Sequence, residues 1–497
     1  MTISPLVPIV LPLAAAAISL GLGRFTRLRR VVGITALTAT LAVSVALLMA
    51  TRDGALVVVE VGGWESPLGI TLVVDLFSAI MLTVSSTMLL AVLLYATGSP
   101  RTNDTELFFH PVYMVLAAGV SACFTTGDLF NLFVAFEVTL VASYVLITLG
   151  GSRAQVRHGT TYVVISLLAS TLFITAVGLV YAATGSVNMA DLAVRLPEID
   201  PGLRSALGLL FLVVFGIKAA IFPLFFWLPD SYPTAAAPIT AIFAGLLTKV
   251  GVYAIIRSQT LLFGSDESSS LLLVVASLTM AVGVLGAIAQ NDVKRILSFH
   301  IVSQIGYMIF GLGLFTTAGL AATVFYVVHH IVVKTTLFLV GGLIEERAGT
   351  GELRRLGGLQ HSSPFIAALF LIPALSLAGV PPMSGFVAKL SLVQSGLAAG
   401  ANVTVAVSLA VSILTLFSMT KIWAGAFWGA PIDPVPESAG QNDPETGLSA
   451  LMVGSTAVLV AAGLAFVVFA TPLYDLGQTA AAVMADSTKY IEAVLGA

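Results

Sequence analysis

The sequence predicts an all-α polytopic membrane protein with about 14 transmembrane helices, and three observations carry that prediction. Of the 497 residues, 58% are hydrophobic and only 9% charged, with a mean hydropathy of +1.03. So little polar surface cannot cover a soluble globule of this size. Apolar runs of roughly 20 residues recur along the chain. Two of them, near 205–228 and 364–397, are interrupted by prolines, and each holds a lysine.

The first span lies near 4–22 and is followed by Arg24, Arg27, Arg29 and Arg30. A secretory signal carries its positive charges ahead of the apolar stretch, so this span is expected to stay in the protein. Spans near 31–50 and 70–95 come next. Those near 110–126 and 129–149 are a tight pair, separated only by a break at TTGDLFN. Then come spans near 160–183, 205–228, 235–256, 271–289, 297–315, 319–343, 364–397, 402–427 and 448–470, each long and apolar enough to cross. The linker near 429–447, APIDPVPESAGQNDPETG, is proline-rich and acidic and reads as irregular. The tail from 471 to 497 reads as a short surface helix with no assigned role.

Orientation follows from arginine and lysine in the short loops. The loops after spans one, three, five, nine and eleven hold Arg24, Arg27, Arg29, Arg30, Arg101, Arg153, Arg157, Lys294, Arg295, Arg347, Arg354 and Arg355. The alternate loops hold Arg52, Arg195, Arg204 and Arg257. The first set is therefore expected to be cytoplasmic, which places both termini outside if the spans number 14.

Several functions are disfavoured. A net charge of −3 offers no basic field for nucleic acid. The single cysteine, Cys123, excludes an intrachain disulfide or a thiolate metal site. GTGELRRLGG lacks a Walker lysine, no nucleophile motif is present, and the sequons at Asn103 and Asn402 are chance-level patterns. Metal ligands do not cluster, and a haem would need axial histidines from separate helices, with His110 and His300 near span ends. No cofactor is expected.

Around the first interruption lie Gly216, Lys218, Pro223, Pro229 and Pro233; around the second lie Pro373, Gly379, Pro381, Pro382, Gly385 and Lys389. Upstream of each, TTGDLFN and AQNDVKR put an aspartate at the start of a span. Spans four to eight (108–258) and nine to thirteen (270–428) thus read as two copies of five, after N-terminal helices 1–3 in 1–100 and before a last helix at 448–470. Matching interruptions in two halves point to a binding site. A broken helix frees backbone groups that hydrocarbon cannot satisfy, so internal water is expected beside the prolines. A packing kink explains a proline alone, but not a lysine beside it in both copies.

Five of the seven lysines, Lys218, Lys249, Lys334, Lys389 and Lys421, fall within spans, with Glu137 in span five. A charge at a helix centre costs about 2.5–3.5 kcal/mol even on the lenient insertion scale. Lys421 lies near a span end and can snorkel. Lys334 is open between a buried pair and a relay. His329 and His330 are neighbours projecting about 100° apart, so one is expected to face the polar interior. Burial disfavours charged lysine and a nearby carboxylate favours it. At about 4 Å and an effective dielectric near 20, a Glu/Lys pair interacts by about 4 kcal/mol. Making or breaking one pair would therefore switch a lysine between holding and releasing a proton.

Three stretches, GDLFNLFVAFEVTLVASYVLITLGG, PLFFWLPDSYPTAAAPITAIFAGLLTKVGVYAIIR and NDVKRILSFHIVSQIGYM, resemble the antiporter-like subunits shared by respiratory complex I and Mrp-type cation/proton antiporters. The likeness spans nearly the whole chain, and the first and third stretches are specific to the Mrp branch. The chain reads as lacking the long C-terminal lateral helix of the largest relatives, which fits the D branch of Mrp subunits better than the A branch. The resemblance implies 14 helices, two inverted five-helix repeats with broken helices 7 and 12, and a half-channel in each repeat joined by a hydrophilic axis. It implies that Glu137 is the glutamate of helix five, Lys218 the lysine of broken helix seven and Lys249 the linking lysine of helix eight. His329 matches the helix-eleven histidine and Lys389 the lysine of broken helix twelve, with His330 and Lys334 in support.

The implied function is a proton-translocating subunit of a multisubunit Na+/H+ antiporter, a secondary transporter rather than an enzyme. Its partners would be other subunits of a hetero-oligomeric complex, protons, Na+ and the lipid bilayer of a prokaryotic plasma membrane. The alternative is the proton-pumping module of a complex I-like oxidoreductase or membrane-bound hydrogenase. An inert scaffold is disfavoured by the cost of so many buried charges.

Overall fold

The computed structural model describes residues 4–99, 106–264, 266–430 and 448–496. Arg101, Asn103 and most of the proline-rich linker, 431–447, lie outside the described residues. Helices α1 (Val7–Gly21) and α2 (Thr26–Thr51) lead into strands β1 (Val57–Glu60) and β2 (Thr71–Val74), and then α3 (Leu76–Gly98). Next come α4 (Glu106–Thr125), α5 (Leu129–Thr148), α6 (Arg153–Thr184), the short α7 (Met189–Arg195), α8 (Pro201–Ala219) and the one-turn α9 (Leu228–Ser231). Helix α10 (Ala237–Leu261) contains a π-helical turn at Phe243–Leu247. The remainder is α11 (Asp266–Ala289), α12 (Val293–Gly313), α13 (Thr317–Ala348), α14 (Leu359–Ser362), α15 (Pro364–Ala378), α16 (Ser384–Ala398), α17 (Asn402–Ala426), α18 (Ala450–Val468), α19 (Ala470–Ala485) and α20 (Thr488–Leu495).

Among the described residues, 12 helices are long and apolar enough to cross a membrane, while α1 and α15 are apolar but shorter. The all-α reading needs one correction: β1 and β2 form an antiparallel hairpin, pairing Val57 with Val74 and Glu60 with Thr71. The span placed near 70–95 therefore begins as a strand, and its helix starts only where Asp75 caps Ser78 N at 2.8 Å.

Helix α13 is the axis of the molecule. Its apolar character runs all round, as expected of a helix with no lipid face, and α3, α10, α12, α15, α16, α18 and α19 enclose it. The tail is accordingly more than a surface helix, because α19 packs on α13, with Gly477 against the Ala321 backbone, and α20 lies on α7.

Local signals recur at one fixed separation, 164 residues. Asp128 and Asp292 cap α5 and α12, accepting from Asn131 N at 2.7 Å and Arg295 N at 2.9 Å. Each also forms an isolated backbone bridge, Asp128 to Asn188 and Asp292 to Glu352. Ser152 and Thr316 cap the 32-residue helices α6 and α13, which both end on left-handed glycines, Gly185 and Gly349.

Both interrupted spans are broken. Helix α8 stops at Ala220 (φ 60°) and α15 at Gly379 (φ 86°), so the span placed near 205–228 is helical only to Ala219. The freed backbone groups find side chains, the arrangement required at membrane depth. Trp227 Nε1 donates to Ile217 O at 3.1 Å, Thr279 Oγ1 accepts from Phe222 N at 3.1 Å, and Lys389 Nζ donates to Ala378 O at 3.1 Å.

Two charges counted as loop residues are buried. Arg257 lies within α10 and pairs with Asp75 of α3 at 2.6 Å, beside Tyr253 and Tyr490. Lys294 lies in the first turn of α12 and pairs with Glu345 at 2.7 Å. In each case a carboxylate from another helix permits the burial.

Candidate functional site

The first cluster joins three helices. Glu137 of α5 accepts a hydrogen bond from Ser170 Oγ of α6. Lys218 of α8 donates to Ser170 Oγ at 3.2 Å and to Ser166 O at 3.2 Å. Among the described residues no ion pair joins Glu137 to Lys218; a serine hydroxyl stands between them, accepting from one and donating to the other. Sequence reasoning considered a Glu/Lys pair without assigning its members and missed Ser166 and Ser170, whose signal was two small polar residues one turn apart in an apolar run. Lys218 is the final residue but one of α8, so the break directly follows it. A cavity of about 20 Å³ adjoins it, lined by Ser166, Tyr162, Trp227 and Tyr232 among others. That is enough for one water.

Lys249 is fully buried in α10 immediately after the π-helical turn. It donates to Ala244 O and, at 3.1 Å, to Thr248 Oγ1. A π turn leaves a carbonyl without its usual helical partner, a distortion often found at functional positions, and here the lysine occupies one.

The second cluster centres on α13. His329 Nδ1 is 3.0 Å from Ser384 Oγ, which is 3.1 Å from Ser376 Oγ, so the histidine touches a serine pair spanning the break between α15 and α16. His330 is also buried, and neither of its ring nitrogens has a hydrogen-bond partner among the described residues. Both histidines are turned toward protein because the helix is enclosed on every side, and of the two only His329 has a polar hydrogen-bond partner among the described residues. Lys334 Nζ donates to Leu297 O at 3.1 Å. It has no carboxylate partner among the described residues, which decides against the buried-pair reading. Lys389 lies beyond its break, on α16, with Nζ 5.0 Å from the centre of the Tyr307 ring. The two broken-helix lysines thus sit on opposite sides of their interruptions.

His300 belongs to this cluster as well. The span was placed to begin near 297, but α12 begins at Val293, so His300 lies two turns inside, fully buried, with Nε2 2.9 Å from Ser418 Oγ. Tyr326 donates to Gln304 Oε1 and stacks on Tyr307 at 5.3 Å. His330 is within electrostatic reach of Lys249, Lys334, His329 and His300, and His300 and His329 are within reach of Lys389. Lys421 is elsewhere: its Nζ caps the end of α11, donating to Ile288 O at 2.9 Å and Gln290 O at 2.6 Å. That is a structural role for a cation at a helix C-terminus.

Two pairs of residues in the clusters keep the 164-residue separation of the caps and bridges. Ser166 and Ser170 of α6 correspond, 164 residues on, to His330 and Lys334 of α13. Where one helix offers hydroxyls to a lysine from another helix, the other carries the basic groups itself.

The transmembrane family described as NADH:quinone oxidoreductase/Mrp antiporter matches residues 126–415. The chain is 42% identical over 494 residues to the D-type subunit of the Na+/H+ antiporter of Alkalihalophilus pseudofirmus, covering 99% of each. It is 36% identical over 493 residues to the corresponding antiporter protein of Bacillus subtilis, again covering 99% of each. It superposes with a TM-score of 0.92 on a chain of the Mrp complex from Dietzia sp., at 37% identity and full coverage of both. A chain of the membrane-bound sulfane sulfur reductase, an archaeal respiratory membrane complex, gives a TM-score of 0.88 at 25% identity, with 99% of this chain and 100% of that one covered. On these grounds the chain is a member of the NADH:quinone oxidoreductase/Mrp antiporter transmembrane family.

Proposed function

We propose that this chain conducts protons within a multisubunit Na+/H+ antiporter of the plasma membrane, using Glu137, Lys218, Lys249, His329 and Lys389, with His330 and Lys334 in support. The observation that carries this reading is the Glu137–Ser170–Lys218 bridge. If Lys218 gives a proton to Ser170 Oγ while Ser170 gives its own to Glu137, ammonium and carboxylate become amine and acid together. The cluster's net charge stays at zero, so the exchange avoids the cost of an isolated buried charge. Lys249 is within electrostatic reach of Lys334 and His330 of the second cluster. The unpartnered nitrogens of His330 and His300 are where internal water would bond.

The matching topology is 14 crossings: the 12 long helices, α1, and the broken α15/α16 pair. Residues 108–258 and 270–428 then form two copies, supported by the constant separation of caps and bridges. A unit of five crossings is an odd number, so consecutive copies are inverted. The arginine distribution, without Arg257 and Lys294, still favours termini outside the cytoplasm.

The test is cation-dependent proton flux in vesicles carrying the complete complex, with Lys218→Ala. Loss of flux with normal insertion is expected; wild-type flux would overturn the reading. Likeness to a respiratory complex favours a second one, a proton pump driven by electron transfer in a partner. Copurification with iron–sulfur subunits in place of small antiporter subunits would select it.

A further inference from the structure

At the end of the bundle where α8 begins and α10 ends, a cleft of about 420 Å³ opens between α8, α10 and α11. Its mouth carries Arg204, half-buried, which donates to Leu262 O at 3.2 Å. Gln259 stands three residues before that carbonyl, about one helical turn deeper. It is 2% exposed, and its side-chain Oε1 has no partner among the described residues. A buried amide oxygen without a partner destabilises the fold unless something fills that role. Further along, the walls become hydrocarbon, namely Leu209, Leu212, Phe263 and Leu271. Leu209 and Leu271 are 50% and 38% exposed on the outer face. No carboxylate lines the cleft among the described residues. Asp200 already caps α8 through Leu203 N at 3.0 Å, so attraction for an anion comes from Arg204 and not from the helix end.

The sequence of cation, amide and exposed hydrocarbon with depth matches the parts of one molecule, a phospholipid: phosphate, glycerol ester, acyl chain. We infer that this cleft binds a single anionic phospholipid. Its phosphate sits on the Arg204 guanidinium, whose planar fork suits phosphate oxygens. Its ester carbonyl meets the Gln259 amide, which turns about its last side-chain bond to offer N–H. One acyl chain runs along Leu209, Leu212 and Leu271. The bound lipid would wedge the start of α8 against α10 and α11, some 14 residues before Lys218, without touching the proton-carrying side chains.

The experiment is native mass spectrometry of the complete complex, purified in detergent and titrated with phosphatidylglycerol. Wild type should hold one more tightly bound lipid than Arg204→Ala, whose affinity should fall about 10-fold, the scale of one lost charge-assisted contact. Gln259→Leu, of similar volume, should fall several-fold, and it reads the same site if Arg204→Ala fails to assemble. Arg195→Ala removes a nearby arginine that pairs with Asp191, and it should leave the count unchanged. Millimolar inorganic phosphate should not displace the lipid. Equal retention by wild type, Arg204→Ala and Gln259→Leu would overturn the inference, as would equal loss in Arg195→Ala or displacement by phosphate. So would a short cross-link from Ser205→Cys to a partner polypeptide, since a protein segment would then fill the cleft.

Discussion

The two halves of the molecule share caps, bridges and broken helices, yet they handle charge differently. In the first half, Lys218 shares a serine hydroxyl with Glu137. In the second, His300, His329, His330, Lys334 and Lys389 have serine hydroxyls, backbone carbonyls and a tyrosine ring for company, and no carboxylate among the described residues. In the first cluster the carboxylate of Glu137 offsets the charge of a protonated Lys218, whereas each proton held by the second adds a positive charge that no acid there offsets. Two like charges about 8 Å apart at an effective dielectric near 20 repel by about 2 kcal/mol. A proton on one base of the second half therefore discourages a proton on the next.

The comparison breaks most sharply at its acid. Glu137→Gln should cut cation-dependent proton flux at least about 100-fold, the scale of a lost pair interaction near 3 kcal/mol. Unchanged flux in assembled complex would mean the halves do not differ in the way described. The reverse change supplies an acid to the second half: Ile301, buried in α12, stands where Glu137 stands 164 residues earlier. Ile301→Glu should pair with Lys334, hold its proton and slow flux about 10-fold. Flux at the wild-type rate would show that the missing carboxylate is irrelevant.

Smaller effects sharpen the picture. Ser170→Ala removes the bridge but keeps both ionisable groups, so a loss of about 3- to 10-fold is expected, on the scale of one hydrogen bond. Ser170→Thr, which restores the hydroxyl, should recover most of it. Lys421 lies outside either cluster, and Lys421→Met should leave flux within about twofold. Thermal unfolding of that variant should show a loss of about 1–2 kcal/mol for two carbonyl caps.

Much of this was legible in the sequence for identifiable reasons. Composition and the spacing of apolar runs announced a membrane bundle, because hydrocarbon demands long apolar helices. Aspartates 128 and 292 and the prolines near Lys218 and Lys389 marked caps and breaks, because those signals act on their own backbone. Where reading failed, the deciding neighbour was distant along the chain. Arg257 looks like a loop charge until Asp75 meets it from α3. His300 looks peripheral until α12 starts a turn early, and Lys421 looks like a snorkelling residue until α11 ends beside it.

The amino-acid order by itself determined that the chain is a bundle of long apolar helices, where two of them break, and that Glu137 and five of the seven lysines lie within the apolar runs, since each of these depends on a local run of residues and its solvent. Tertiary structure alone decided that a serine separates Glu137 from Lys218, that both histidines of α13 face protein, and that the second array has no acid. Those outcomes depend on which helices become neighbours. Packing around α13 sets that arrangement, and periodicity along a single helix does not encode it.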